Sequence, residues 1–231
     1  PETYEHIPPE KIGNERRVLV SELSGQSNLL FKAEELGISL DKGSPAIKET
    51  IETIKEMEHK GYQYEAAEAS FELLIRNGLG ESHDYFEFEH FNIITHKERE
   101  DGFKSEAVVK MKIQGQTVMT AAEGNGPVNA LDYALRKAIG EYYPLVHEMY
   151  LSDYKVRVLD EAEATASTVR VLIESSDGQE TWSTIGVSPN VIEASWHALV
   201  DSIRYYFMKH SDRLTAVEPV AAMPEASVKN H

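Results

Sequence analysis

The chain has 231 residues, a formal net charge of −16, 41% hydrophobic and 27% charged residues, and no cysteine. This balance suits a soluble globular protein of one large or two small domains, and it excludes disulfides, a thiolate nucleophile and Cys-ligated zinc. It also argues against nucleic acid, which needs clustered Lys and Arg, and no apolar run reaches the roughly 20 residues of a membrane span. A cytoplasmic location is expected, and no signal peptide precedes the first element. The sequence opens at Pro1, without Met, inside what reads as a structured segment, so it reads as a fragment with an upstream partner removed.

Residues 1–25, rich in Pro and Gly around "VLVSEL", read as a connector. Residues 26–82 read as a small helical module. Ser27 can cap a helix through Leu29, Leu30 and Ala33 to a stop at Gly37. Ser44-Pro45 opens a second, with Ile47, Ile51, Ile54 and Met57 on one face before Gly61. Tyr64, Ala67, Phe71, Leu74 and Ile75 mark a third, ended by Asn77-Gly78.

From 83 to 210 the pattern turns to strands and repeats itself, as units 83–143 and 144–210. "YFEFEHFNIITHKE", "SEAVVKMKIQG" and "QTVMTAAEG" read as strands, with a hairpin at Gln114-Gly115 and a helix from about Pro127. "MYLSDYKVRVLDE", "STVRVLIESS" and "ETWSTIGVS" follow, with Asp177-Gly178 in the turn and a helix from about Pro189 to Met208. Ala130, Ala134, Leu135 and Ile139 match Ala194, Ala198, Leu199 and Ile203, all 64 residues on. In the strands, Val109 and Ile113 align with Val169 and Ile173 at an offset of 60, which implies a longer second hairpin loop. Residues 211–231 have no period and read as a disordered tail. The expected fold is α+β: a helical linker module followed by two pseudo-twofold-related βββα units packed on each other.

Each strand-to-helix turn leaves free N–H groups at a helix N-terminus, suited to an anion such as a carboxylate. At the first turn stand Gly124, Asn125, Gly126, Pro127 and Ala130. At the second stand Gly186, Val187, Ser188, Asn190 and Ala194, with Ser188 as N-cap or ligand donor. The glycines allow close backbone approach and the alanines leave room for an aliphatic side chain. On turn chemistry alone the same residues equally serve tight turns and close packing.

"GNGPVNALDYAL" and "GVSPNVIEASWHALVDSI" resemble the paired signatures of the regulatory domain of the 2-isopropylmalate synthase family, the second closest to the citramalate synthase branch. "TYEHIPPEKIGNERRVLVSELSGQSNLL" is similar to the connector after the catalytic barrel in that branch, so the resemblance covers about residues 1–210. It implies an acyltransferase that condenses acetyl-CoA with a 2-oxo acid, pyruvate in the citramalate branch. It further implies a divalent metal in a TIM barrel missing from this chain, which should be inactive alone. Homodimerising regulatory domains would bind the end-product amino acid, isoleucine for citramalate synthases and leucine for isopropylmalate synthases. Tyr4, by its place in "TYEHI", matches a tyrosine that reaches the partner subunit's barrel, and His6 is a second candidate. Arg16 and Arg17 could meet CoA phosphates. The family's H-x-H metal pair has no counterpart here, since His90 and His96 lie six apart and the other histidines are scattered. The alternatives are an isopropylmalate or homocitrate synthase fragment, or a stand-alone amino-acid-binding regulator.

Overall fold

The computed structural model of the chain describes residues 33–34, 37–38, 45–81, 84–98, 102–159 and 167–214. Tyr4, His6, Arg16 and Arg17 lie outside them, as do the rest of the connector and the tail beyond 214. So does most of the first predicted helix, but its stop is described. Gly37 has φ +72°, and the Ile38 N–H reaches the Ala33 carbonyl at 2.8 Å. A bond of this kind across a left-handed glycine satisfies a helix carbonyl that would otherwise lack a partner.

Helix α1 (Pro45–His59) starts at the predicted proline and buries Ile47, Thr50 and Ile54. Helix α2 (Glu68–Gly78) starts later than its apolar spacing predicts. Tyr64–Ala66 forms a separate 3₁₀ turn, and Ala67, at φ −141°, breaks it from the helix. Tertiary contacts explain the difference. The Tyr64 ring is buried 5.6 Å from that of Phe71, and Arg170 Nε donates to the Gly61 carbonyl at 2.7 Å. These contacts fix the backbone before Ala67 against its local propensity.

Strands β1 (Glu87–Glu98), β2 (Gly102–Ile113) and β3 (Gln116–Gly124) form an antiparallel sheet in that order, followed by α3 (Pro127–Gly140). Strands β4 (Tyr150–Val158), β5 (Val169–Ser176) and β6 (Thr181–Ser188) repeat the arrangement, followed by α4 (Val191–Lys209). The architecture is the α+β pair of βββα units that the repeat predicts. Among the described residues no helix is long and apolar enough to cross a membrane.

The pairing corrects the predicted alignment of the strands. Thr120 lies opposite Val109, and Thr184 opposite Ile173. Each threonine hydroxyl donates to a carbonyl on its helix, Ala134 at 2.7 Å and Ala198 at 2.8 Å. Val109 is therefore the counterpart of Ile173, and the offset is 64 from the second strand through the helix, not 60. The second hairpin needs no extra loop, because Asp177 pairs back to Glu180 around Gly178 much as Ile113 pairs to Gln116. The one-residue difference falls between the first two strands, where Phe91 and Tyr154 face Val109 and Ile173. An even shift preserves which side chains point inward, so apolar identity alone could not separate 60 from 64. Both first strands also carry a register irregularity at matching places, between Phe88 and His90 and between Leu151 and Asp153.

Each helix covers its own sheet. Ala130, Leu131, Ala134, Leu135 and Ile139 of α3 pack with Ala107, Val109, Met111 and Ile113, while Ala194, Ala198, Leu199, Ile203 and Phe207 of α4 pack with Val171 and Ile173. The helical module covers the opposite face of the second sheet, where Ile185, Val187 and Leu172 meet Ile47, Ile54, Tyr64 and Phe71. It also closes that sheet's free edge. The Ile185 N–H donates to Ser70 Oγ at 3.1 Å, and the Val187 N–H to the Tyr62 hydroxyl.

Ser70 Oγ in turn donates to Asp201 Oδ2 at 2.8 Å. Burial pushes the Asp201 carboxyl up to about 6, against the opposing pull of Ser70 and Arg204. The native chain thus holds a proton that the unfolded chain releases, and stability falls as pH rises from about 4 to about 6. Asp201→Asn keeps an acceptor for Ser70 and removes that loss. At pH 8 it should stabilise the chain by about 1–3 kcal/mol and flatten this part of the profile. Denaturant melts of both proteins at pH 4 and pH 8 check this, and equal slopes with pH would refute it.

Candidate functional site: the two strand-to-helix junctions

The two junctions occupy equivalent places but are not built alike. At the first, Gly126 is the N-cap in extended backbone and Pro127 opens α3, with no side-chain cap. Asn129 Oδ1 accepts the Asn125 N–H at 3.1 Å, which closes the turn without covering the helix end. Val128 and Asn129 thus present backbone N–H groups at an uncapped, electropositive N-terminus.

The second junction caps itself. The helix starts at Val191, not at Pro189 as its proline suggests, and Asn190 is the N-cap, its Oδ1 accepting the Ile192 N–H at 2.9 Å. Ser188, expected as the cap, instead accepts the Asn190 N–H at 3.0 Å and donates to the Glu193 carboxylate. Counted by the 64-residue offset, Pro189 stands where Asn125 stands, two positions ahead of Pro127. That is why proline here marks the approach to the helix and not its first turn.

Glycine positions differ as well. A Cβ on Gly124 would lie 2.4 Å from the Ala130 backbone nitrogen, and one on Gly186 would lie 1.9 Å from the Ala194 carbonyl oxygen. Gly124 is the counterpart of Ser188, and Gly186 the counterpart of Ala122. Ala130 and Ala194 are fully buried against these glycines, so in the single chain the small residues bring helix and strand into contact. Val187 turns its side chain to the other sheet face, into the core shared with the helical module. Among the described residues no hydrogen bond or ion pair joins the two junctions, and cavities of 570, 420 and 440 Å³ are lined by other residues.

Several residues beside the second junction were not singled out by the sequence pattern. The Tyr154 hydroxyl of β4 lies 2.8 Å from Ser195 Oγ at the start of the second turn of α4. Tyr154, Val156 and Val158 form a row on the helix-facing side of β4, and they remain 39%, 46% and 51% exposed, with Val191 beside them at 37%. In the first unit the equivalent row is better covered, because Trp196 of α4 packs on Phe91 with ring centroids 5.4 Å apart and Phe91 and Ile93 are half-buried against the core, although Phe88, 4.6 Å from Trp196, is still 43% exposed. The position on α3 that matches Trp196 holds Asp132, which is tied to Arg136 at 2.8 Å. The second row is therefore left bare.

Comparison with known proteins agrees with this architecture. Residues 65–207 match the family described as the LeuA allosteric (dimerisation) domain, and residues 1–62 match the homocitrate synthase post-HMGL domain-like family. The chain is 52% identical over 211 residues to an (R)-citramalate synthase of Aquifex aeolicus, covering 91% of this chain and 40% of that protein. It is 53% identical over 213 residues to the (R)-citramalate synthase of Geobacter sulfurreducens, again covering 40% of it. A 2-isopropylmalate synthase of Methanocaldococcus jannaschii is more distant, at 26% over 212 residues, 90% of this chain and 38% of that protein. The chain thus spans about two fifths of the length of these relatives. With two βββα units matched across 65–207, it belongs to the LeuA allosteric (dimerisation) domain family.

Proposed function

We propose that this chain is the regulatory and dimerising region of a citramalate synthase, with isoleucine as the feedback ligand of the junctions and a second copy of the chain seated on β4. The observation that carries the reading is the bare row of Tyr154, Val156, Val158 and Val191 beside an otherwise packed junction. Contiguous exposed apolar side chains of this kind mark an interaction surface. A copy seated there would bring its own junctions to the same place. The uncapped α3 terminus suits the ligand carboxylate, and Glu193 at the second junction offers an anion for its ammonium group. Citramalate synthases at 45–53% identity favour isoleucine over leucine, the effector implied by the more distant isopropylmalate synthases. In the whole enzyme, a metal-dependent barrel would carry the condensation, with Tyr4, and secondarily His6, reaching the partner's barrel and Arg16 and Arg17 meeting CoA.

Light scattering combined with calorimetry tests this reading. The chain should run as a dimer and bind isoleucine in preference to leucine and valine. Val156→Asp, which sets like charges against each other across the pair, should leave a folded monomer with isoleucine affinity lowered by about tenfold or more. A dimer unaffected by Val156→Asp would remove β4 from the interface, and a dimer that binds none of the three amino acids would remove the sensor role.

A further inference from the structure

A groove between α2 and α4 opens into two cavities of 420 and 570 Å³ that share Leu73, Asn77, Asp201 and Arg204. Their ends differ in chemistry. The smaller is walled by apolar and aromatic side chains, among them Met57, Leu74, Phe88 and Trp196, and the larger by Arg76, Glu81 and Asp84. Asp201 and Arg204, one turn apart on α4, stand where the two ends meet.

Arg204 pulls on the Asp201 carboxyl, yet both groups keep hydrogen-bonding capacity that is not used within the described residues. Asp201 uses Oδ2 for Ser70, and its Oδ1 has no hydrogen-bond partner among the described residues. Arg204 Nε is buried with no partner among them. The carboxylate nearest its guanidinium is that of Asp84, 4.0 Å from Nη2 and largely exposed, and the guanidinium lies 5.5 Å from the centre of the Phe86 ring. A buried donor without an acceptor costs stability, and an uncommitted carboxylate oxygen stands one turn away, so a compensating role elsewhere is the economical explanation. The same two groups fit a head that offers an acceptor and a donor side by side, and 420 Å³ lies within the range of small-molecule pockets.

We propose that this groove binds a small carboxylate that carries an ammonium or hydroxyl group on the adjacent carbon and a short apolar tail. The carboxylate meets Arg204, whose fork matches its geometry. The adjacent donor meets Asp201 Oδ1, and the tail enters the aromatic end between Leu74, Phe88 and Trp196. No junction residue lines the groove, so this site stands apart from the one proposed for isoleucine. Because its walls come from both the helical module and α4, an occupant would tie the module to the second unit.

The test is calorimetry of the 231-residue chain with L-valine and with its 2-hydroxy counterpart, which share one tail and differ in the donor. At least one of the two should bind, and Arg204→Met should weaken that binding by about tenfold or more. Asp201→Asn then identifies the head. A loss of about tenfold for valine alone assigns an ammonium ligand, and similar affinities for the hydroxy acid before and after assign a hydroxyl ligand. If Arg204→Met fails to fold, Arg204→Lys keeps the charge, removes Nε and should show the same loss. No binding of either compound up to about 10 mM overturns the proposal. So does binding that Ser188→Ala abolishes and the Arg204 variants leave intact.

Discussion

Gly186→Ala should destabilise the chain by about 3 kcal/mol or more and lower its melting temperature by roughly 6–12 °C. The new methyl would sit 1.9 Å from the Ala194 carbonyl oxygen, 2.8 Å from its carbon and 3.0 Å from His197 Cβ. The first two are helix backbone, which no rotamer change can move aside. Either α4 lifts from β6, breaking the Thr184 bond to Ala198, or the strand bends away from Val171. Gly178→Ala provides the contrast. Gly178 has φ +86° with open space around it, so alanine there meets only backbone strain, about 1 kcal/mol. Calorimetric melts of both variants decide the matter, and equal losses would mean that the helix is not held against the strand at this point.

Asp132→Ala is the second large effect. Asp132 and Arg136 have side chains 6% and 13% exposed, and the guanidinium also donates to the Met149 and Val146 carbonyls at 2.8 and 3.3 Å. Burial pushes the Asp132 carboxyl up, and Arg136 pulls it back. Removing the carboxylate leaves a buried cation without its counter-charge, a change that costs about 3–5 kcal/mol. It should also loosen the 3₁₀ turn Pro144–Glu148, which leads into β4. The double variant Asp132→Ala with Arg136→Met should recover much of the loss, because no charge is then left stranded. Urea melts that show the double variant no more stable than the single one would assign the effect to a cavity instead.

The repeat itself was legible because helix positions such as Ala130, Ala134 and Ile139 face a strand at fixed intervals, and their partners 64 residues on obey the same constraint. Hairpins at Gln114-Gly115 and Gly178 were legible for a local reason, since both need positive φ. Strand register was not, because alternation repeats every two residues and tolerates a shift of four. The start of α4 was misplaced because a proline can precede a helix as well as open it, and only Asn190's bond to Ile192 tells which. Least legible was the bare row on β4. Tyr154, Val156 and Val158 read simply as strand residues, and their exposure depends on Asp132 standing where the other helix has Trp196, a fact of packing between units.

The way the helical module meets β6 bears on how copies of the chain can associate. An unpaired strand edge is a template on which further strands can stack without limit. Here Ser70 and Tyr62 occupy the β6 edge, Lys137 reaches across to the Ala121 carbonyl on β3 at 3.3 Å, and β1 and β4 are each bent by a register irregularity. An association through a self-complementary patch of side chains, by contrast, is saturated by one partner. The contacts that hold the helical module in place also take up the free ladder groups of β6, and so disfavour open-ended stacking of strands on that edge.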